Sequence, residues 1–185
     1  IENAIRDDNW PQARALIISA LKCEPKSHWL ITRLGLTYYE QRQYKRALHY
    51  SEKALNLAPT CPLVLWDYAG CLSMLDRSEE AIAIYRRLVH RGVERLARGD
   101  CGEGRTWAKG LIADCHYNLA RCYRDVGKRK PAVASYRRYL DLRKSGYRSI
   151  YSIVKARKEL KSLMKENAQQ GGAGYVAQGA PSPDR

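Results

Sequence analysis

The 185-residue chain is predicted to be all-helical and built from repeats, and two observations carry this prediction. Alanine recurs every 34 positions, at Ala13, Ala47 and Ala81. Within each period, apolar residues follow the i, i+3, i+4, i+7 spacing of a helix with one buried face, and no alternating strand-like runs occur. A fixed period of this length is typical of solenoids, in which each repeat packs on its neighbours.

The most regular period shows why two helices are expected in each repeat. Its first helix places Leu34 and Tyr38 on one face, and its second helix places Ala47 and Ala54 on another. The small alanine side chains allow the two helices to approach closely. Pro59 then ends the unit, since proline cannot continue a helix.

The remaining elements follow from the same period. We expect a partial repeat at 1–26, repeats at 27–61, 62–93 and 113–146, a helical-hairpin insertion at 94–112 and a capping helix at 148–166. The cap is expected because the last repeat of a stack otherwise exposes its apolar face to water. Together these elements form one domain, residues 1–167, and the Gly- and Gln-rich residues 168–185 are predicted to be a disordered tail or linker.

The repeated columns resemble the tetratricopeptide repeat family. Small residues at Gly35, Ala47 and Ala54, followed by Pro59, match the family pattern, although Ile31 stands where the pattern prefers Trp. The resemblance extends along the chain up to the capping helix. It implies a right-handed α-solenoid of helix-turn-helix repeats with a C-terminal capping helix, in which the first helix of each repeat lines a concave groove.

The resemblance also indicates which side chains face that groove. The predicted partner-binding residues are Trp29, Arg33, Leu36, Tyr39, Trp66, Asp67, Tyr117, Asn118, Arg121, Arg124, Arg148, Tyr151 and Lys155. Aromatic side chains and arginine dominate this set, and these residue types are typical of binding hot spots. The alternative is that the Trp and Tyr side chains only pack between neighbouring helices.

The net charge of +14 is the strongest clue to the partner. Charge of this size allows nucleic acid, an anionic membrane surface or an acidic protein as partner. The basic excess falls in the last repeat and the cap, where Arg121, Arg124, Arg148 and Lys155 suggest an acidic or phosphate-bearing peptide segment. The sequence has no apolar run near the roughly 18 residues of a membrane span.

Six cysteines raise the question of a metal site or of disulfides. They form no C-x-x-C pair and their spacing matches no zinc template, so we expect free thiols in a cytoplasmic protein. The four histidines are scattered, and no catalytic motif occurs. The sequence therefore predicts no catalytic residue, no metal and no cofactor.

Residues 99–104, Gly-Asp-Cys-Gly-Glu-Gly, are predicted to form the tip of the hairpin insertion. A plain glycine-rich turn is the simpler interpretation. The functional interpretation is a protruding finger that contacts a partner and carries Cys101 as an exposed thiol. Asp100 and Glu103 should disfavour the thiolate, which argues against a nucleophile.

The favoured function is a non-catalytic interaction module or scaffold that binds a peptide segment in the groove. One alternative is an RNA-binding helical repeat protein, since the chain is basic and helical repeats can bind single-stranded bases. A second alternative is the regulatory domain of a larger enzyme. The family resemblance favours a protein ligand, and the sequence leaves the partner's identity and the oligomeric state open.

Overall fold

The computed structural model describes residues 1–171, and their side chains up to Lys165. Over this range the chain forms helices and no strand: α1 (Glu2–Arg6), α2 (Trp10–Cys23), α3 (His28–Glu40), α4 (Tyr44–Leu57), α5 (Pro62–Met74), α6 (Ser78–Ala97), α7 (Gly104–Asp125), α8 (Arg129–Lys144) and α9 (Ile153–Gly171). None of the helices within the described range is long and apolar enough to cross a membrane.

The helices stack in chain order. Each helix packs mainly on the next one, and the first helices α3 and α5 of consecutive repeats also touch. The alanine column that revealed the period, at Ala13, Ala47, Ala81 and Ala132, has no exposed surface. These methyl groups let paired helices approach, and the predicted all-α solenoid is confirmed.

Tyrosines form the centre of the largest apolar cluster. Tyr85, Tyr117, Tyr136 and Tyr139 are all buried. The Tyr117 ring lies edge-on to Tyr136 and Tyr139, at centroid distances of 5.7 and 5.4 Å. Such edge-to-face pairs stabilise a core beyond their area burial, so these residues join α6, α7 and α8.

The capping helix differs from the predicted bounds of 148–166. It begins at Ile153 and continues to Gly171, so residues 168–171 of the predicted tail are helical. The rest of that tail, residues 172–185, lies outside the described range. Ala156 and Leu163 are buried and hold α9 against the preceding repeat, as a cap requires.

Residues 146–152, here called the crossing segment, are not helical because their polar groups bond to the last repeat instead. The Tyr139 hydroxyl donates to the carbonyl oxygen of Tyr151 at 2.6 Å. Arg143 donates to the carbonyl oxygen of Tyr147 at 2.9 Å. Gly146 turns the chain out of α8 with a φ of 81°, which favours glycine.

The hairpin insertion folds back onto the repeats, which contradicts the functional interpretation of a protruding finger and agrees with the simpler one of a plain glycine-rich turn. A break at Gly92, where φ is 71° and ψ is 169°, redirects the end of α6. The tip then packs on the start of α5. The backbone at Gly99 lies so close to the Pro62 ring that a Cβ added there would be 3.2 Å from it. Cys61 also donates to the carbonyl oxygen of Asp100 at 3.2 Å. Cys101 is consequently only partly exposed.

Candidate functional site

A cavity opens between the first helices of three repeats and the crossing segment. Seven of the predicted groove residues line it, namely Leu36, Tyr39, Trp66, Asp67, Asn118, Arg121 and Tyr151. Its volume is about 170 Å³. Small-molecule pockets are usually roughly 300–1,000 Å³, so this groove cavity has the size to take a side chain of a ligand.

Helix α5 provides the floor of the groove cavity. Trp66 lies edge-on to the buried Tyr85 ring, with centroids 5.6 Å apart, and the rest of its indole remains partly exposed. Gly70 leaves room beside it for Tyr39 of α3, whose ring would lie 3.7 Å from a Cβ at that position. Two aromatic faces are therefore held in place by packing before any ligand arrives.

Asp67 is one of two acidic residues that line the groove cavity, the other being Glu40. Its Oδ2 atom is buried and has no hydrogen-bond partner within the described residues. Burial raises the pKa of this carboxyl to about 7; Arg33 opposes the rise and Glu40 reinforces it. A buried acceptor without a partner is costly, so Asp67 is prepared to accept a hydrogen bond from a ligand.

Helix α7 and the crossing segment form the opposite wall. Asn118 donates to the Tyr151 hydroxyl at 3.0 Å, and the Tyr151 ring stacks on Tyr117 at 4.1 Å. Burial raises the pKa of Tyr151 to about 12. Arg121 lines the same wall and forms no ion pair with any residue in the described part of the chain. This wall therefore offers a positive charge on a rigid aromatic support.

Two of the predicted groove residues lie towards the N-terminal end of the array. The Arg33 guanidinium sits over the Trp29 ring, 5.4 Å from its centroid. Arg33 also pairs with Glu2 of α1 at 3.1 Å. These two residues hold the first helix against α3 and do not line the groove cavity.

The other predicted residues have mixed placements. Tyr117 belongs to the core with 1% exposure, so its prediction as a partner-contacting residue is wrong. Its ring is enclosed because three other tyrosines surround it. Arg124 is paired with Asp125 at 3.0 Å and Glu159 at 2.7 Å. Arg148 and Lys155 are exposed, on the crossing segment and on α9.

The structure also brings together residues that the sequence pattern did not group. Glu40 and Ile150 line the groove cavity beside the predicted residues. Away from it, the side-chain nitrogen or sulfur atoms of His28, Cys61 and Cys101 all lie within 4.8 Å of one another. No spacing rule could have found this cluster, because it depends on the hairpin tip folding back onto α3 and α5.

Two sequence models, both described as tetratricopeptide repeat, match residues 38–98 and 113–145, together just over half of the chain. The chain belongs to the tetratricopeptide repeat family, and the predicted resemblance is confirmed. A comparison with curated proteins gave no significant match. Family membership supports a role in protein–protein interaction, the use for which these repeats are known.

Solved structures with the same fold include three helical-repeat proteins of low sequence identity. The apo form of RapI is 16% identical, with a TM-score of 0.72 over 93% of this chain and 63% of that chain. BtubC from P. vanneervenii is 15% identical, with a TM-score of 0.69 over 98% and 82%. MamA 41-end from Desulfovibrio magneticus RS-1 is 14% identical, with a TM-score of 0.62 over 91% and 92%. At these identities the likeness shows the fold alone.

Proposed function

We propose that this chain is a non-catalytic scaffold that holds a peptide segment of a partner protein along its groove. The observation that carries the proposal is the groove cavity, which collects Trp66, Asp67, Arg121 and Tyr151 from two repeats and the crossing segment. The cavity has aromatic surfaces, the acceptor Asp67 and the cation Arg121, neither of which is paired within the described residues. This combination matches a hot spot that takes one anchoring side chain.

The charges around the groove cavity define the ligand more closely. Arg121 lies at the cavity wall, and Arg148 and Lys155 are exposed along the continuing surface. This series would hold acidic or phosphorylated side chains by charge-assisted hydrogen bonds. Asp67 would receive a donor from the same peptide, such as an amide or a basic side chain. The proposed ligand is therefore an acidic segment with one donor group at its anchor.

The cysteines support a cytoplasmic location for this scaffold. All six are free thiols in the structure, four of them buried in the repeats. Reducing compartments maintain thiols in this state. Cys71, Cys115 and Cys122 are buried inside helices and pack as small apolar side chains, which is consistent with a non-catalytic repeat array.

The proposal can be tested with a displayed library of disordered protein segments, selected on the purified chain. The discriminating variant is Arg121→Glu, which reverses the charge at the cavity wall. The matched control is Arg137→Glu, an exposed arginine on the second helix α8. Enriched segments are then synthesised and titrated by fluorescence anisotropy against the three proteins.

We expect acidic segments to be enriched and their affinity to fall at least roughly tenfold with Arg121→Glu, since a lost charge-assisted contact costs about 1.5–3 kcal/mol. Arg137→Glu should bind as the unchanged chain does. Equal binding by all three proteins would place the ligand elsewhere. Salt-sensitive binding of a single-stranded RNA oligonucleotide in place of any peptide would favour the RNA alternative.

A further inference from the structure

Three potential metal ligands converge where the hairpin tip meets the first complete repeat. His28 is the first residue of α3, Cys61 is the residue before α5, and Cys101 lies in the tip. The His28 Nε2 and Cys101 Sγ atoms are 3.1 Å apart, and the three donor atoms are mutually within 4.8 Å. Each donor comes from a separate structural element.

The donor set has the chemistry and the spacing of a zinc centre. Zinc prefers imidazole nitrogen and thiolate sulfur, at about 2.0 and 2.3 Å from the ion in tetrahedral geometry. Those distances place a nitrogen and a sulfur ligand about 3.6 Å apart. The observed separation of His28 and Cys101 is therefore within about 0.5 Å of that required, a shift that side-chain rotation can supply.

The backbone holds two of these donors in place. Cys61 has no exposed surface, and its place as the residue before α5 fixes its backbone at the start of that helix. Cys101 has a φ of 56°, a left-handed conformation that a non-glycine residue seldom adopts. Two residues earlier, the tip packs against the Pro62 ring at Gly99.

The charge balance also suits a divalent cation. Two thiolates and a neutral imidazole carry a charge of −2, which neutralises Zn²⁺, whereas two thiolates without a cation would repel each other. Cys61 is buried and Cys101 is partly exposed, so an ion held between them would be accessible from the Cys101 side.

We propose that His28, Cys61 and Cys101 form a zinc site with three protein ligands and a fourth position for water. Such an ion would join the hairpin tip to α3 and α5, so metal binding would fix the insertion to the repeat array. The site is separate from the groove cavity, and it would act as a structural clamp whether or not the proposed peptide binds.

The test uses the whole chain, purified with reductant and stripped of metal, and titrated with Co²⁺ as a spectroscopic probe. Binding should give thiolate-to-cobalt charge-transfer absorption that saturates at one ion per chain and disappears on addition of Zn²⁺. Cys101→Ser should weaken Co²⁺ and Zn²⁺ binding at least roughly tenfold, since metal ligands contribute strongly to affinity. The matched control is Cys23→Ser, an exposed cysteine at the end of α2.

A second variant, His28→Gln, keeps the test valid if Cys101→Ser fails to fold, and circular dichroism checks both. Zn²⁺ should raise the melting temperature of the unchanged chain and of Cys23→Ser, but not of the two ligand variants. Absence of charge-transfer absorption, or equal affinities for Cys23→Ser and Cys101→Ser, would overturn the proposal. A disulfide between Cys61 and Cys101 would also overturn the proposal. In that case the protein takes up no metal in the presence of reductant, and the protein prepared without reductant shows four free thiols instead of six when it is denatured.

Discussion

Replacing Asp67 by asparagine should stabilise the protein, and more so at alkaline pH. Asp67 Oδ2 is buried in the groove cavity without a hydrogen-bond partner among the described residues, and its pKa rises from 3.8 to about 7 in the folded chain. An acid whose pKa rises on folding destabilises the folded state when ionised. The contribution of this group to stability is therefore least unfavourable below about pH 4, where both states are protonated. It becomes more unfavourable as pH rises from about 4 to about 7, and it levels off above the folded-state pKa, where both states are ionised.

The size of the effect follows from the two pKa values. At pH 8, ionised Asp67 costs the folded state about 4 kcal/mol relative to the unfolded chain. At pH 5 the folded carboxyl stays protonated while the unfolded one is ionised, and the cost is about 1–2 kcal/mol. Asparagine does not titrate, so the stability difference between Asp67→Asn and the unchanged chain should grow by about 2–3 kcal/mol between these pH values. Any constant cost of burying the amide cancels from that comparison.

Urea unfolding followed by circular dichroism at pH 5 and pH 8 measures this difference directly. Asp141→Asn, on the exposed face of α8, is the matched control and should show little change with pH. The reasoning fails if the Asp67→Asn difference is the same at both pH values. It also fails if Asp67→Asn is less stable than the unchanged chain and the difference is larger at pH 8 than at pH 5. The attraction of ionised Asp67 to Arg33 would then outweigh the cost of burying its charge.

Further predictions concern the hairpin tip and the tyrosine core, and urea unfolding checks each. Gly102→Ala should lose about 1–3 kcal/mol, because a Cβ there would lie 2.7 Å from two carbonyl oxygens. Gly110→Ala in α7 meets only ordinary contacts and should gain about 0.5–1 kcal/mol. Tyr136→Phe should gain up to about 1 kcal/mol, because its buried hydroxyl lacks a partner within the described residues. Tyr139→Phe should lose about 1 kcal/mol, because its hydroxyl donates to the carbonyl oxygen of Tyr151 in the crossing segment. The packing described would be contradicted if Gly110→Ala were less stable than Gly102→Ala, or if Tyr136→Phe were less stable than Tyr139→Phe.

The repeat pattern brings some of the predicted groove residues to one cavity and misplaces another. Trp66, Asp67 and Arg121 line the cavity because their positions within the repeat face the groove. Tyr117 has a comparable position in its own repeat, yet its ring is buried. The crossing segment decides this difference, since it places Tyr151 directly over that ring. A repeat pattern describes the faces of a helix, but it contains no information on a segment that departs from the repeat.

The amino-acid sequence by itself determined the helical class, the 34-residue period and the family, because small and apolar residues at fixed spacing decide which helix faces can pack together. Only the tertiary structure decided the path of the insertion and the start of the last helix. The break at Gly92 turns the hairpin back onto Pro62, and the hydrogen bond from Tyr139 holds the crossing segment against the last repeat. These contacts join residues far apart in the chain, so no local spacing encodes them. The convergence of His28, Cys61 and Cys101 is their consequence.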